Sequence, residues 1–555
     1  MIFPAQIKRV GLLENSTSDR YGHLFETLGQ LYPIEFRRVP SDGLDGVDAL
    51  IVLDGNIAAG LATAADGLPV LVVMMESDNQ SVNGSQPVRF GEAQDLEPCL
   101  RNQVMVEKDG SGGCSIANEP GDQVLASRGK SAVWVNRPRG LGSCLFAGVP
   151  LPSLGEDEYL FDYWNGRRFM GLLPLMHFLR QVVKDADWKS PAPRACFVFD
   201  DPSLYWRSYG FLDYRALAAH SVKHNYFASV ATIPLDAWWV NGRVAETLRS
   251  SHPRLSLLIH GNNHTYKELV SQRNGTTPLA IAAQSLQRLE GLERRHGVSV
   301  SRIMEAPHGA IGKSFFAPLL ALNYEAALTS SELLVKHNPQ TAWAAGVGMD
   351  MSEMLGGGLP VLPRIKMSAD WKNEVLLAAF LGQPILLAGH HQDAADQLQL
   401  LADFARVVNC LPAATWASPQ DIVRSNYKEF RSGGTLFLKL YSRAVHVVAP
   451  EGVNEIFINR PWVGQESAGE TLVIKSRGGE LLRATGPEVV GPISVSAGQS
   501  LDISSLPVNQ VDFRSVKSSG AICWPVARKV MMEIRDRIAP LRRRARKTFR
   551  AGTAN

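Results

Sequence analysis

The distribution of apolar residues predicts alternating strands and helices over residues 1–185. Apolar runs bounded by polar turns indicate buried strands in "KRVGLLEN", "IEFRRVP", "VDALIVLDG" and "LPVLVVMM". Between the first two runs, apolar residues recur at helical spacing from Tyr21 to Leu31. This alternation is typical of a parallel sheet, so we expect a Rossmann-like or flavodoxin-like α/β domain. The polar, glycine-rich stretch 91–129 predicts loops and short strands, and no phosphate-binding glycine motif occurs.

A second region of strand-then-helix units follows the proline-containing linker "DADWKSPAPR". Apolar strands recur over 192–425, and their carboxyl ends carry aspartates, histidines or Pro-Gly turns. The strongest helical pattern is "PLAIAAQSLQRLEGLERRHG", which ends at Gly297. In barrel-like α/β folds, chemistry is built at the carboxyl ends of the strands. We therefore expect polar side chains from separate strand ends to converge.

The helical period disappears over residues 430–517. Short apolar strands alternate there with glycine turns, which predicts a small β-sandwich. The fold class is therefore predicted to be multidomain α/β, with an α/β domain, a central barrel and a C-terminal sandwich. The last segment, 518–555, is predicted to be a basic tail.

The basic tail contains ten lysines and arginines and two acids between residues 528 and 550. It carries +8 of a chain whose net charge is +3, which leaves −5 for the rest. Val530, Ile534 and Ile538 have helical spacing, so peripheral contact with an anionic membrane or an acidic polymer is one interpretation. A solvated basic tail is the favoured alternative. Aromatic residues do not interleave with the charges, so we predict no nucleic-acid partner.

Overall composition is that of an ordinary globular protein. The chain has 555 residues, of which 45% are hydrophobic and 20% are charged. Its six cysteines form no CxxC pair, which favours a reducing compartment. The N-terminus lacks a long apolar stretch, and no run of about 18 apolar residues occurs. We therefore expect a cytoplasmic location.

Two strand ends carry the residue types of a metal site. Asp200 and Asp201 follow an apolar strand, and His260 and His264 follow another. Adjacent carboxylates repel each other unless a positive group lies beside them, although one aspartate of a loop can instead cap a helix. Two imidazoles and a carboxylate suit Zn²⁺ and leave a coordination position open. Because the chain has 13 histidines, the His-x-x-x-His spacing alone equally describes a polar loop.

Four segments resemble the motifs of the polysaccharide deacetylases, the NodB-homology carbohydrate esterases. "VFDDPS", "HGNNHT", "EAPHG" and "ILLAGHH" occur in the order of that family's TFDDG, H[ST]xxH, RxPY and late LxH motifs. The resemblance covers roughly residues 195–400 and implies a distorted (β/α) barrel. It also implies that Asp200 is the general base and that Asp201, His260 and His264 bind the metal.

The resemblance implies a metal-dependent hydrolase that removes acetyl groups from an amino sugar or polysaccharide. A metal such as Zn²⁺, or another divalent transition metal, lowers the pKa of bound water, and Asp200 takes the proton. The backbone N–H of His308 is the expected oxyanion donor. His390 or His391 is expected to give a proton to the leaving amine. A carbohydrate substrate is therefore the expected partner.

Two departures from the motifs keep a second interpretation open. Pro202 replaces a motif glycine, and Glu305 replaces the arginine that holds the base aspartate in the family. Arg302 or Arg364 are the candidates to supply that positive charge. The alternative is a catalytically altered, deacetylase-like protein with a binding or assembly role in polysaccharide metabolism. The adjacent tryptophans 238 and 239 suit a sugar subsite, but we expect at least one of them in the core.

Overall fold

A computed structural model gives the structure of most of the chain. It describes residues 7–13, 18–40, 44–53, 67–74, 81–139, 142–186, 188–250, 254–270, 277–464, 469–517, 526–527, 530–531, 534–536 and 538. Two compact units form the chain. The first comprises Met1–Trp188, Ala342–Met349 and Ala369–Leu381, and the second comprises Lys189–Thr341, Asp350–Ser368 and Gly382–Asn555.

The first 188 residues contain eleven described strands and three described α-helices. The strands are β1 (Lys8–Leu13), β2 (Ile34–Val39), β3 (Ala49–Val52), β4 (Val70–Val73), β5 (Ser81–Val82), β6 (Pro87–Phe90), β7 (Val104–Val106), β8 (Gly113–Cys114), β9 (Gln123–Arg128), β10 (Ser131–Arg139) and β11 (Gly142–Ala147). The helices are α1 (Gly22–Leu31), α2 (Leu160–Tyr163) and α3 (Leu173–Val182). The strands expected from the first four apolar runs are confirmed as β1 to β4.

Nine of these strands form one sheet with two different halves. Its order is β2-β1-β3-β4-β11-β10-β9-β6-β7. The half from β2 to β11 is parallel, as the strand and helix alternation predicts. The half from β11 to β7 is antiparallel, and the stretch predicted to hold loops and short strands supplies β7 and β9 to it.

The described part of the chain from residue 194 to 424 contains twelve strands and eight α-helices. The strands are β12 (Arg194–Asp200), β13 (Ser208–Tyr209), β14 (Leu212–Asp213), β15 (Ala228–Thr232), β16 (Leu255–His260), β17 (Val300–Glu305), β18 (Ala326–Thr329), β19 (Glu353–Leu355), β20 (Leu359–Pro363), β21 (Ile365–Lys366), β22 (Ile385–Gly389) and β23 (Thr415–Trp416). The helices are α4 (Tyr214–His224), α5 (Gly242–Ser250), α6 (Pro278–His296), α7 (Phe316–Ala321), α8 (Ser331–His337), α9 (Trp371–Leu381), α10 (Gln399–Asn409) and α11 (Pro419–Arg424).

Ten of these strands form a curled sheet, so the region is mixed α/β. Its order is β19-β20-β18-β17-β16-β15-β12-β22-β21, and β23 also pairs with β12. All these pairings are parallel except that of β19 with β20. Buried apolar side chains from these strands form one core, which includes Leu362 of β20 and Leu386 of β22. Because strands from the two sides of the sheet share that core, the sheet is half-wound into a barrel.

Local sequence signals set the helix ends in this region. The side chain of Thr277 accepts the N–H of Ala280 at the start of α6, and Gly297 ends it in a left-handed conformation. Helix α9 runs from Trp371 to Leu381. Helix α9 belongs to the first unit, where Asn373 donates to the carbonyls of Val106 and Gly166.

The C-terminal part of the second unit consists of two four-stranded sheets. Its strands are β24 (Tyr427–Ser432), β25 (Thr435–Leu440), β26 (Ala444–Val448), β27 (Glu455–Asn459), β28 (Thr471–Ser476), β29 (Gly479–Thr485), β30 (Val489–Ser494) and β31 (Ser500–Leu506). The sheet orders are β24-β25-β27-β30 and β26-β31-β28-β29. One apolar core takes residues from both sheets, including Leu438 and Ile503. Among the described residues, no helix is long and apolar enough to cross a membrane.

Candidate metal centre

The carboxyl edge of the curled sheet brings together three metal-ligand side chains. Asp201 follows β12, His260 is the last residue of β16, and His264 lies in the loop after β16. Their ligand atoms all lie within 4.8 Å of one another. Asp201 Oδ1 is 3.3 Å from Nε2 of His260 and 2.9 Å from Nε2 of His264. The structure therefore assembles the three residues that the motif resemblance assigned to a metal.

Hydrogen bonding fixes the orientation of the His260 ring. Its Nδ1 lies 3.2 Å from the backbone carbonyl oxygen of Glu305. Because a carbonyl only accepts, Nδ1 carries the hydrogen and Nε2 points its lone pair toward Asp201. A lone pair facing a carboxylate oxygen requires a cation, either a proton or a metal, between them. This pattern, in which the second nitrogen of a ligand histidine donates to a carbonyl, is common in metal sites.

The charges of the cluster favour an ionised Asp201. Burial acts to raise the pKa of Asp201, but hydrogen bonds from His260 and His264 outweigh it and hold the pKa well below its usual range. Burial acts to lower the pKa of His260, but Asp201 and the nearby acids Asp200 and Glu305 raise it overall. The cluster therefore behaves as an anionic pocket that favours positive charge.

Glu268 holds the loop that carries His264. Its carboxylate accepts the backbone N–H groups of Asn262, Asn263, His264 and Thr265. The loop can approach this closely because it starts at Gly261, which has a φ of +59°. A Cβ at that position would lie 2.2 Å from a Glu268 oxygen, so only glycine fits. The sequence reasoning missed Glu268, although its position four residues after His264 was visible.

Arg364 provides the positive charge beside Asp200. Arg364 follows β20, and its Nη1 donates to Asp200 Oδ2 at 2.9 Å and also to Glu305. Arg302 binds Glu293 instead, so Arg364 is the arginine that approaches Asp200. The expected repulsion between Glu305 and Asp200 is thus offset by a shared guanidinium. Sequence alone left both arginines open because β20 lies about 160 residues from Asp200.

Burial makes Glu305 an unusual carboxyl group. It raises the pKa of Glu305 to about 8, although Arg364 acts in the opposite direction. Its carbonyl oxygen accepts from His260, and its side chain binds Arg364. Glu305 therefore links the metal-ligand strand β16 to the arginine that holds Asp200.

His308 and His390 border the cluster. His308 lies in the turn after β17 with a φ of +59°, and its ring centroid is 4.9 Å from that of His264. His390 follows β22, and its Nε2 lies 4.0 Å from Asp201 Oδ2. The His390 side chain is about half exposed, so it faces both the cluster and solvent. Asp393, which follows it, accepts the backbone N–H of His390.

His391 diverges from His390 and lies in a buried aromatic setting. Its ring stacks on Phe211 and meets the edge of Tyr209. Its Nδ1 accepts the backbone N–H of Phe211 at 3.4 Å, which leaves the hydrogen on Nε2. That Nε2 faces a carboxylate oxygen of Asp536 at 3.8 Å. Of the two expected proton donors, the structure thus turns His390 toward the ligand cluster.

Asp536 is the second residue that sequence reasoning missed. It is buried, accepts the Tyr209 hydroxyl at 2.7 Å, and accepts from Arg535 at 2.7 Å. Burial acts to raise the pKa of Asp536, but His391, Arg535 and Tyr209 lower it far more. No local pattern distinguished this aspartate from its neighbours in the basic tail. Most of the 518–555 tail prediction lies outside the described residues.

Exposed aromatic side chains concentrate on the loops around the cluster. Trp206 follows β12, Trp238 and Trp239 follow β15, and Tyr266 follows β16. Each is between 53% and 68% exposed, and no other Phe, Trp or Tyr among the described residues is comparably exposed. The expectation that Trp238 or Trp239 is buried in the core is therefore wrong. These loops leave the strands at the same edge as the metal-ligand residues.

Comparison with known proteins finds similarity only among solved structures. No family model and no curated protein sequence matches the chain. A CE4 esterase from Streptococcus mutans is 13% identical, covers 41% of this chain and 86% of its own, and has a TM-score of 0.27. A CE4 family pseudoenzyme from Bacillus anthracis is 10% identical, with coverage of 42% and 67% and a TM-score of 0.26. A family 4 carbohydrate esterase from Streptomyces lividans is 12% identical, with coverage of 40% and 90% and a TM-score of 0.23.

Proposed function

We propose that the chain is a metal-dependent hydrolase that removes N-acetyl groups from an amino sugar or polysaccharide. The observation that carries this proposal is the meeting of Asp201, His260 and His264 beside Asp200. Asp200 is in turn held by Arg364. A ligand set of two imidazoles and one carboxylate, with a second carboxylate next to it, suits hydrolysis assisted by a divalent transition metal.

The ligand set fits Zn²⁺ or a similar ion. His260 and His264 offer Nε2 atoms, Asp201 offers a carboxylate oxygen, and the Glu305 carbonyl fixes the His260 tautomer. A bound divalent metal supplies Lewis-acid polarisation of an acyl carbonyl and acidifies water. The three protein ligands leave room for water and substrate, as catalytic sites require.

Asp200 is suited to the role of general base. Its Oδ2 accepts from Arg364, whereas its buried Oδ1 has no hydrogen-bond partner among the described residues. One oxygen is therefore fixed and the other is available to accept a proton from water. Arg364 orients the carboxylate and offsets the negative charge of Glu305.

The remaining roles fall to residues that border the cluster. The backbone N–H of His308 is the proposed oxyanion donor, because the turn after β17 brings this residue next to His264. His390 is the proposed proton donor to the leaving amine, because its Nε2 faces the cluster. His391 lies against Tyr209 and Asp536, so we assign it a structural contact rather than proton transfer.

A carbohydrate substrate fits the exposed aromatic rings. Trp206, Trp238, Trp239 and Tyr266 present flat apolar faces on adjacent loops. Single exposed apolar rings are ordinary, but several on adjacent loops point to a ligand-binding surface, and the C–H faces of sugar rings suit aromatic rings. These loops therefore favour a saccharide over a small charged metabolite.

One observation favours the second candidate, a deacetylase-like protein with a binding or assembly role. Glu305 occupies the motif arginine position and shares Arg364 with Asp200. That sharing divides the guanidinium between two carboxylates. In the second candidate, the fold and metal site serve binding while turnover is absent.

Acetate release distinguishes the two candidates. Purified protein supplied with Zn²⁺, Co²⁺ or Mn²⁺ is incubated with penta-N-acetylchitopentaose and with acetylated xylan, and free acetate is measured. We expect the wild type to release acetate and Asp200→Asn to lose about 10²-fold or more in rate while keeping its metal. Asp403→Asn is the matched control, because Asp403 lies on α10 and accepts from Arg406 and Gln399 of the same helix.

Three results bear on the alternatives. Stoichiometric metal without acetate release on either substrate supports the binding or assembly role. Equal acetate release by wild type and Asp200→Asn contradicts the assigned base. Protein that binds no metal after supplementation overturns the whole proposal.

A further inference from the structure

A stripe of exposed apolar side chains lies on the C-terminal segment. The described residues between 526 and 538 are helical. Val526, Val530, Met531 and Ile534, which we call the C-terminal stripe, are each between 45% and 56% exposed. At 3.6 residues per turn, positions 526, 530, 531 and 534 fall on one side of a helix. Isolated exposed apolar residues are ordinary, but four on one helical side form a continuous surface.

Asp536 lies on the opposite side of the same segment. It is two residues after Ile534, which at 3.6 residues per turn is roughly 200° around the helix axis. Asp536 is buried and binds the hydroxyl of Tyr209. One side of the segment therefore faces Tyr209 of β13 and His391 in the turn after β22, and the apolar side faces away from them.

The charge around the stripe favours an anionic partner. Residues 528–550 contain ten lysines and arginines and only two acids. One of those acids is Asp536, whose carboxylate is buried against Tyr209 and is thus withdrawn from the surface. An apolar helical side accompanied by many basic residues has the composition of a helix that lies in a membrane interface.

We propose that the C-terminal stripe docks on the surface of an anionic lipid bilayer. The stripe enters the boundary between headgroups and acyl chains, and the basic residues contact the lipid phosphates. Because Asp536 anchors the other side of the segment beside Tyr209 and His391, docking holds the body that carries the metal centre at the bilayer. This inference does not depend on the proposed hydrolase activity.

Vesicle co-sedimentation of the full-length protein tests the proposal. Vesicles of phosphatidylcholine alone are compared with vesicles that also contain phosphatidylglycerol. We expect binding to the anionic vesicles only, with affinity that falls as salt increases. The double variant Val530→Glu/Ile534→Glu is expected to lose about tenfold or more in affinity for the anionic vesicles. The matched control is Val222→Glu, because Val222 on α4 is 65% exposed and lies outside the stripe.

The opposite results overturn the proposal. If the wild-type protein binds neither vesicle type, or binds both equally, an anionic bilayer is excluded as the partner. Unchanged binding by the double variant excludes the stripe as the docking surface. Soluble polyglutamate that binds the protein as strongly as the vesicles do, and equally in the double variant, identifies an acidic polymer instead.

A separate measurement tests the anchor. Asp536→Asn is expected to leave vesicle binding within about twofold but to speed hydrogen exchange in residues 204–213, which include Tyr209. Unchanged hydrogen exchange in residues 204–213 would contradict the anchoring contact of Asp536. The docking of the stripe is tested separately by the vesicle co-sedimentation.

Discussion

Two buried histidines, one in each unit, have opposite electrostatic surroundings. His177 on α3 and His260 on β16 are each only 1% exposed. His177 packs edge-on against Trp134, and neither ring nitrogen has a hydrogen-bond partner among the described residues. Burial lowers the pKa of His177 to about 3, whereas Asp201 and nearby acids raise that of His260. Burial alone therefore makes a neutral core residue, and burial beside carboxylates makes a cation-binding site.

The buried arginines of the two units show the same contrast. Arg128 in the first unit pairs with Glu107, which also accepts the N–H groups of Phe169 and Met170. Arg364 in the second unit serves two carboxylates, Asp200 and Glu305. In the first unit, the carboxylate of Glu107 is thus bound by one guanidinium and two backbone N–H groups. In the second arrangement two acidic side chains share one guanidinium at the sheet edge, where the candidate metal ligands also lie.

Removal of the His260 imidazole should have the largest effect. His260→Phe deletes a ligand from a three-residue site and should reduce metal affinity by about 10³-fold or more. His177→Phe, its counterpart in the first unit, should leave metal content unchanged. Elemental analysis and metal competition with a chelating dye measure both. Equal metal loss in the two variants would contradict the assignment of His260 as a metal ligand and of His177 as a neutral core residue.

Removal of Arg364 should be the next largest effect. Arg364→Leu leaves Asp200 and Glu305 buried without their cation, which should cost about 3–5 kcal/mol in the free energy of unfolding. Arg128→Leu should cost less, because Glu107 retains two backbone N–H partners. Urea denaturation at neutral pH measures both free energies. A second change, Glu305→Leu in the Arg364→Leu background, should recover part of the loss; a further decrease would contradict the shared-charge explanation.

Loosening the histidine loop should have an intermediate effect. Glu268→Gln preserves the shape of the side chain but replaces charge-assisted bonds with neutral ones to the backbone of residues 262–265. We expect metal affinity to fall by about 10-fold to 100-fold. The first unit offers the control Glu158→Gln, whose carboxylate accepts a loop N–H from Gly155. Unchanged affinity in Glu268→Gln would remove this residue from the site.

Acid sensitivity of the first unit should be the smallest effect. The pKa of His177 is about 3 when folded and about 6.5 when unfolded, so the unfolded state binds more protons between those values. Stability from this group is therefore present above the unfolded pKa and is lost as pH falls through that window. Between pH 7 and pH 5.5 the expected loss is about 1 kcal/mol. Hydrogen exchange of β10, which contains Trp134, measures it.

The variant His177→Phe provides the control for that measurement. It removes the titrating group, so the difference in β10 exchange between pH 7 and pH 5.5 should shrink after correction for intrinsic rates. An equal pH dependence with and without His177 would assign the acid sensitivity to other groups.

Local sequence patterns determined much of the fold and the central chemistry. Apolar runs predicted β1 to β4 of the first unit and the strands that end at Asp200, His260 and Glu305. The end of α6 at Gly297 and the short strands of the C-terminal sheets were also predicted from the sequence. These features depend on hydrophobic period and on neighbours a few residues apart. The motif resemblance assigned Asp201, His260 and His264 to a metal, and parallel strands that end at a common edge bring these side chains together.

Contacts between residues far apart in the sequence, which are seen only in the folded chain, determine which side chains complete the site. The tertiary structure selected Arg364 over Arg302, turned His390 toward Asp201 and His391 toward Asp536, and placed both Trp238 and Trp239 in solvent. These contacts join residues separated by up to about 190 positions, and no short-range pattern encodes them. A period of two or of 3.6 residues fixes which side of an element is buried. The partner on that side is fixed by the path of the chain between the elements.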